Sequence, residues 1–153
     1  MSAVAVFEDS SCSETPVGIK ITRDFVCGAG RVPAKTMCGS DGGVLYSISS
    51  CTNDYSLLAS TVFGNNTPYI IVEEYLEWYC NLAQTVTIYI ADGACHPNTD
   101  DATSFKATFT TEGTATITTY NDTYCNIVQD NIDVSKNIFT SFVFSTGSDR
   151  DDD

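Results

Sequence analysis

Two small groups of side chains have the residue types that catalysis requires. Glu73, Glu74 and Glu77 form the densest acidic group, and two such carboxylates at a defined separation could hydrolyse a glycosidic bond. Cys95 precedes His96, the chain's one histidine, so a thiol nucleophile with an imidazole base is the second possibility. Neighbouring residues of a strand point to opposite faces, however, and we interpret His96 as an exposed turn residue. We interpret the glutamates as one solvated face, and predict no enzyme and no catalytic residues.

The sequence contains few of the motifs that bind metals or cofactors. No two cysteines have the C-x-x-C spacing of a zinc site, and the glycine-rich segment 39–43 lacks the Lys-Ser/Thr that completes a phosphate loop. Acidic loop residues could bind calcium, but without the spacing of an EF-hand. We therefore predict no metal and no cofactor.

Net charge excludes several classes of partner. Seven basic residues face twenty acidic ones, a formal charge of −13. Such a chain repels nucleic-acid phosphates and anionic lipid surfaces. No apolar run approaches the roughly 20 residues that span a bilayer. We predict no nucleic-acid partner and no membrane span.

Aromatic residues beside the acidic group suggest a ligand surface. Tyr75, Trp78 and Tyr79 interleave with the glutamates. Exposed rings stack on sugar rings while carboxylates accept hydrogen bonds from sugar hydroxyls, so these three residues are a candidate carbohydrate platform. Packing in the core is the alternative interpretation.

Seven cysteines are many for a cytosolic chain of 153 residues. Two glycosylation sequons begin at Asn65 and Asn121, in segments with turn-forming residues. Together they predict an extracellular or cell-surface glycoprotein from an oxidising compartment. The segment 1–6 is too short for a secretory signal, so either Met1 was added to a mature chain or the protein reaches that compartment otherwise, for example in a virion.

A short motif recurs around three cysteines: aromatic, any residue, acid, two residues, cysteine. It occurs at Phe7–Cys12, Tyr75–Cys80 and Tyr120–Cys125, and Tyr46–Cys51 is a looser copy without the acid. Alternating apolar residues follow each strict copy, as in a half-buried strand. The acid, three residues before the cysteine, is expected to accept hydrogen bonds from turn amides. Copies start at uneven intervals, which indicates one globular β-fold of duplicated hairpins.

The same repeat suggests a disulfide pattern. Cys27 lies 15 residues after Cys12, Cys95 lies 15 after Cys80, and the residue 15 after Cys125 is Thr140. One interpretation bridges Cys12–Cys27, Cys80–Cys95 and Cys38–Cys51, with Cys125 unpaired or bonded to another molecule. The other pairs Cys125 with Cys95 and leaves Cys80 or another cysteine over, because connectivity does not follow from sequence alone.

These patterns predict an all-β fold: an antiparallel sandwich or Greek-key-like domain of degenerate cysteine-marked hairpins, with at most one short helix. Residues 1–147 form the single disulfide-stabilised domain, and 148–153 an acidic, disordered tail. The clearest hairpin joins 105–111 to 114–120, and a two-residue turn there would place Phe105 opposite Tyr120. Segments 44–49, 85–90 and 138–144 also read as strands. Segment 67–82 fits a helix or a strand, and we favour the strand.

The stretch Phe7–Pro16 resembles small secreted cysteine-repeat proteins of protists, of the oomycete and slime-mould type. The likeness covers about a third of the chain and implies a secreted or cell-surface location rather than an activity.

These observations favour a non-enzymatic extracellular structural or surface protein. Its expected partner is itself or another extracellular protein, with self-assembly through edge strands and Cys125. The alternative is a secreted binding module for a carbohydrate or a host protein, and a small hydrolase is a third hypothesis.

Overall fold

A computed structural model describes residues 1–23, 27, 37–40, 43–64, 66–75, 83–98, 102–109 and 114–134. In this part of the chain the fold is mostly strand, as predicted. The strands are β1 (Ser2–Phe7), β2 (Gly18–Thr22), β3 (Gly39–Ser40), β4 (Tyr46–Cys51), β5 (Tyr69–Tyr75), β6 (Ala83–Ile90), β7 (His96–Pro97), β8 (Ser104–Phe109), β9 (Ala115–Tyr120) and β10 (Val128–Val134). One helix, α1, covers Tyr55–Phe63.

The strands form two antiparallel sheets. The larger has the order β3-β4-β1-β2-β6-β5 and the smaller has the order β10-β9-β8-β7. In the central strands of the larger sheet, buried residues alternate with half-buried or exposed ones, as in Ile19, Lys20 and Ile21 of β2. The period-2 pattern after Cys12 therefore correctly predicted β2. Residues 69–75 form a strand, so the preference for a strand over a helix in segment 67–82 is correct for these residues.

The hairpin of β8 and β9 forms, but its register differs from the predicted one by one residue. Phe105 pairs with Thr119, and Tyr120 lies opposite Ser104. The register is set by burial, because the buried Ala107 then lies opposite the buried Ile117. With a two-residue turn Ala107 would face Thr118, and one strand would turn its apolar side outwards.

Helix α1 was not predicted at its position, although one short helix was expected. Asp54 caps its first turn, since its carboxylate accepts a hydrogen bond from the Leu57 amide at 2.9 Å. Gly64 ends it with a positive φ of 66°, a backbone conformation that glycine adopts without strain. The helix buries Ala59 and Phe63, and the Phe63 ring stacks on Tyr69 of β5.

The helix and the smaller sheet pack on opposite faces of the larger sheet. On one face Tyr55 of the helix reaches Glu73. On the other face Phe105 of β8 contacts the Tyr89 ring edge-on, with 4.9 Å between the ring centroids. Tyr89 and Glu73 are on opposite faces because Glu73 pairs with Val86, three residues before Tyr89.

Three disulfides link these elements: Cys12–Cys38, Cys27–Cys51 and Cys95–Cys125. The predicted set Cys12–Cys27, Cys80–Cys95 and Cys38–Cys51 is therefore wrong, and so is the assignment of Cys125 as the unpaired cysteine. The alternative pairing of Cys125 with Cys95 is confirmed. With six of seven cysteines paired, Cys80, outside the described residues, is left without a cysteine partner in the chain.

The pairing error has a geometric cause. Cys12 precedes β2 and Cys27 follows it, and five strand residues span about 17 Å. The bonded cysteines have Cα atoms 5.6–6.0 Å apart, so the two ends of one strand cannot be joined. The same argument separates Cys38, beside β3, from Cys51 at the far end of β4.

No helix in the described ranges has the length and apolar character needed to cross a membrane.

Candidate binding cleft and the residues around it

The recurring motif forms hairpin loops. Its aromatic residue is the last of a strand in each strict copy, namely Phe7 in β1, Tyr75 in β5 and Tyr120 in β9. Each of these strands pairs with the next strand along the chain, and in the copies at Phe7 and Tyr120 the residues after the aromatic form the described loop between the two strands. The acid-free copy, Tyr46–Cys51, is instead strand β4 itself. The acidic residue of the motif therefore distinguishes the copies that follow a strand from the copy that is itself a strand.

Asp9 organises the first of these loops through its carboxylate. One oxygen accepts hydrogen bonds from the Ser13 amide at 2.9 Å and the Ser11 hydroxyl at 2.7 Å. These bonds, the Ser13 amide first, lower the pKa of Asp9. The predicted contact between this acid and turn amides is confirmed.

Asp122 has the same role in the loop between β9 and β10. Its carboxylate accepts hydrogen bonds from the amides of Asn126 at 2.9 Å and Ile127 at 3.0 Å. The Ile127 bond contributes most to the lowered pKa of Asp122. Cys12 and Cys125, the cysteines of the two loops, are the described non-glycine residues with positive φ, at 50° and 56°.

His96 is buried, which corrects its interpretation as an exposed turn residue. Its side chain is only 9% exposed, with Nε2 3.0 Å from the Asp92 carboxylate and Nδ1 3.4 Å from that of Glu8. Glu8 follows β1 of the larger sheet, whereas His96 lies in β7 of the smaller sheet. The imidazole therefore joins the two sheets. Cys95 is bonded to Cys125, so it supplies no thiol nucleophile to this histidine.

The acidic group is also not a single solvated face. Glu73 is buried on the helix side of β5, and its carboxylate accepts hydrogen bonds from the hydroxyls of Tyr55 and Tyr75. Burial, together with the Glu73 carboxylate, raises the pKa of Tyr55. Glu74 points to the other face and is exposed. The two glutamates do not share a cleft, and Glu77 lies outside the described residues.

The predicted ligand and glycosylation residues are only partly described. Tyr75 points towards Glu73, while Trp78 and Tyr79 lie outside the described residues. Of the two sequon asparagines, Asn65 lies outside them too, and Asn121 is exposed in the hairpin loop after β9.

A cleft lies between the sheets, on the face of the larger sheet opposite the helix. Its volume is about 240 Å³. Its floor comes from β2 and β6, and its walls from Glu74 of β5 and from residues of β7 and β8. The polar or aromatic lining residues are Lys20, Glu74, Thr85, Thr87, Tyr89, Asn98 and Phe105.

Strand alternation explains why these side chains converge. Lys20 lies opposite Thr87, and Glu74 lies opposite Thr85, so all four project from one face of the sheet. The apolar partners on the other face of β2 and β6, such as Ile19 and Ile88, form the core. The cleft thus presents polar side chains on one face of the sheet, while the opposite face of the same strands packs in the core.

Burial and neighbouring charges determine which side chains of the cleft can donate hydrogen bonds or carry a charge. Burial, and secondarily the Glu74 carboxylate, raises the pKa of Tyr89, so its hydroxyl stays protonated and can donate a hydrogen bond. The Lys20 side chain is exposed, and no carboxylate of the described residues lies within ion-pair distance of it. The cleft therefore offers donors, acceptors and one unpaired cation.

The cleft was not predicted from the sequence, and of its lining residues the sequence analysis considered Glu74 alone for catalysis, as a member of the acidic group that it interpreted as a solvated face. The available signal was the alternation Thr85, Thr87 and Tyr89 in β6 beside Lys20 in β2. No local pattern shows which strands become neighbours.

The described residues show no group of three or more histidine, cysteine or acidic side chains that could hold a metal ion. In comparisons with known proteins, no family model, no curated protein and no solved structure matches this chain, so its function is argued from its geometry.

Proposed function

We propose that the protein is a secreted, non-enzymatic binding module that holds a carbohydrate in the cleft between its two sheets. The observation that carries the proposal is this cleft of about 240 Å³ with its polar lining. Ligand sites are commonly concave surfaces with a few convergent polar groups.

The size of the cleft limits the ligand. Sites for drug-sized molecules measure about 300–1,000 Å³. The cleft is somewhat smaller, at about 240 Å³, and suits one sugar residue at the end of a longer glycan. The hydroxyls of Thr85, Thr87 and Tyr89 can each donate and accept, which matches the hydroxyl groups of a sugar. The Phe105 ring adds apolar surface for its C–H groups.

The lining supports binding rather than hydrolysis. Glycoside hydrolysis uses two carboxylates about 5–9.5 Å apart across the bond that is broken. Among the lining residues that the structure describes, Glu74 is the one carboxylate. Glu73 is on the other face of the strand and already accepts two tyrosine hydroxyls.

The disulfides support the proposed compartment. Three bridges between residues 24 to 30 positions apart persist in oxidising environments. Asn121 is exposed in its loop, which would leave it accessible to glycosylation. The resemblance to secreted cysteine-repeat proteins stays a prediction.

A glycan array tests the function. We expect the wild-type protein to bind at least one class of glycan and Thr87→Trp, whose indole would fill the cleft, to lose that signal. Ser49→Trp is the matched control, since Ser49 is on β4, projects from the same face as Lys20 and does not line the cleft. No signal above background, or equal signals from the two variants, would contradict the proposal.

A structural, self-assembling role is the second candidate, favoured by an exposed apolar group. Tyr124 and Ile127, in the loop before β10, and Val128, its first residue, are 79%, 59% and 60% exposed, and β10 is the last strand in the described part of its sheet. Exposed apolar side chains at the edge of a sheet are typical of association surfaces. A concentration-independent monomer mass in light scattering would exclude this candidate.

A further inference from the structure

We propose that the ligand of the cleft is an acidic sugar, a residue with one carboxylate that binds the Lys20 ammonium. This inference rests on the proposed function and adds the ligand class.

The argument begins with the position of Lys20. It projects from the middle of β2, opposite Thr87 of β6 and Val4 of β1. Isoleucines on either side of it, Ile19 and Ile21, are each 1% exposed, so the backbone beneath the ammonium is held by the core. The cation therefore stands on a rigid strand at the floor of the cleft.

Among the lysines and arginines that the structure describes, Lys20 alone has no partner. The other described cations are engaged: Arg23 donates to the Ala83 carbonyl at 3.0 Å, and the Lys106 ammonium lies 5.9 Å from the centre of the Tyr120 ring. No hydrogen bond or ion pair of Lys20 is formed with any described residue. A protein of net charge −13 that keeps one unpaired cation in a polar cleft has a place for an anionic group.

The opposite wall limits the ligand to a single negative charge. Glu74 is on β5, two strands from Lys20, or about 10 Å across the sheet. Its carboxylate accepts hydrogen bonds from hydroxyl groups but repels a second anion, which disfavours a doubly charged phosphate. A ligand with a carboxylate at one end and hydroxyls at the other could bind Lys20 through the carboxylate and Glu74 through the hydroxyls. The threonine hydroxyls lie between these two residues. Uronic acids have this arrangement.

A matched set of three sugars tests the class. Glucuronic acid, its methyl ester and glucose differ at a single carbon, and only the first carries a charge. We expect the wild-type protein to bind glucuronic acid about ten-fold more tightly than the ester or glucose, as followed by amide chemical shifts in an NMR titration. Salt at about 0.5 M should reduce the preference, because it screens an exposed pair.

Variants assign the preference to Lys20. Lys20→Met should bind the three sugars equally, Lys20→Arg should keep the preference, and Lys106→Met is the control that leaves it unchanged. Equal binding of the three sugars by the wild-type protein, or a preference that survives in Lys20→Met, would overturn the inference. The glycan array distinguishes the proposed carbohydrate binding from the proposed acidic ligand. A cleft-dependent signal for neutral glycans alone would refute the acidic ligand and leave the binding function standing.

Discussion

Single polar residues connect the two sheets and the helix, and His96 is the clearest example. Its ring is buried against Phe105, with 5.6 Å between the ring centroids, and faces carboxylates of two different loops. A hydrogen bond to a charged group contributes about 1.5–3 kcal/mol, and loss of one partner leaves the other buried group unsatisfied. The contact is therefore expected to stabilise the packing of the smaller sheet on the larger one.

Replacement of this histidine should measurably weaken the fold. We expect His96→Gln to lower the free energy of unfolding by about 2 kcal/mol in urea, because the imidazole loses Asp92 and its packing against Phe105. Glu8→Gln should cost less, about 0.5 kcal/mol, since the Glu8 side chain is 47% exposed and its contact is longer. Equal stability of His96→Gln and the wild-type protein would contradict this role.

Glu73 shows why residue types alone do not predict whether a carboxylate is buried or exposed. A cluster of glutamates reads as solvated because carboxylates are costly to bury without partners. The partners, Tyr55 and Tyr75, come from a helix and from the strand's own end, and the helix contact depends on how α1 packs. The sequence carried no sign of that packing, so the buried role could not be predicted.

At the scale of elements, the hairpin loops were the most predictable feature. The motif contains the physical determinants of the loop: an aromatic that closes the strand, an acid that accepts turn amides, and a cysteine that adopts positive φ. All three are local in sequence, so the contacts of Asp9 and Asp122 could be expected. Strand pairing was less predictable, as the shifted register of Phe105 shows, because burial of the whole strand overrode the preferred turn.

The loop carboxylates should make stability depend on pH. Hydrogen bonds lower the pKa of Asp9 and Asp122 in the folded state, so the unfolded state binds more protons below about pH 4. Stability from these groups is present above that pH and is lost as pH falls through the lowered values. The melting temperature should therefore drop on acidification, and the drop should be smaller in the double variant Asp9→Asn, Asp122→Asn.

Glu14→Gln is the control for this pH series. Glu14 lies in the same loop as Asp9, and its side chain accepts no hydrogen bond from the described residues. The melting temperature of Glu14→Gln should fall on acidification as much as that of the wild-type protein. An unchanged acid profile in the double aspartate variant would show that the loops do not contribute to pH sensitivity.

Across the molecule, three disulfides join segments that are distant in the sequence of 153 residues. Each bridge closes a loop of 24 to 30 residues, which in the chain-entropy model stabilises the fold by about 3.5 kcal/mol. The all-β class was predictable, because alternation and cysteine spacing are local signals. The sheet order and the cleft were not, since both depend on contacts between distant segments.

Peptide mapping without reduction should find three internal bridges, Cys12–Cys38, Cys27–Cys51 and Cys95–Cys125. The remaining cysteine, Cys80, should be recovered either as one thiol per chain or in a bond to another molecule. Reduction should lower the melting temperature. Peptides linked through Cys12 and Cys27 would contradict the fold, because β2 holds these residues apart.

A map of amide chemical-shift changes, recorded while the glycan with the strongest array signal is titrated into the protein, shows directly whether the ligand binds between the two sheets. We predict that the largest changes fall on Lys20, Glu74, Thr85, Thr87 and Asn98, around the cleft. Residues of β10 and its hairpin loop, which are distant in the sheet order, should not shift. Changes confined to that loop, or absent from the cleft, would contradict a binding site between the two sheets.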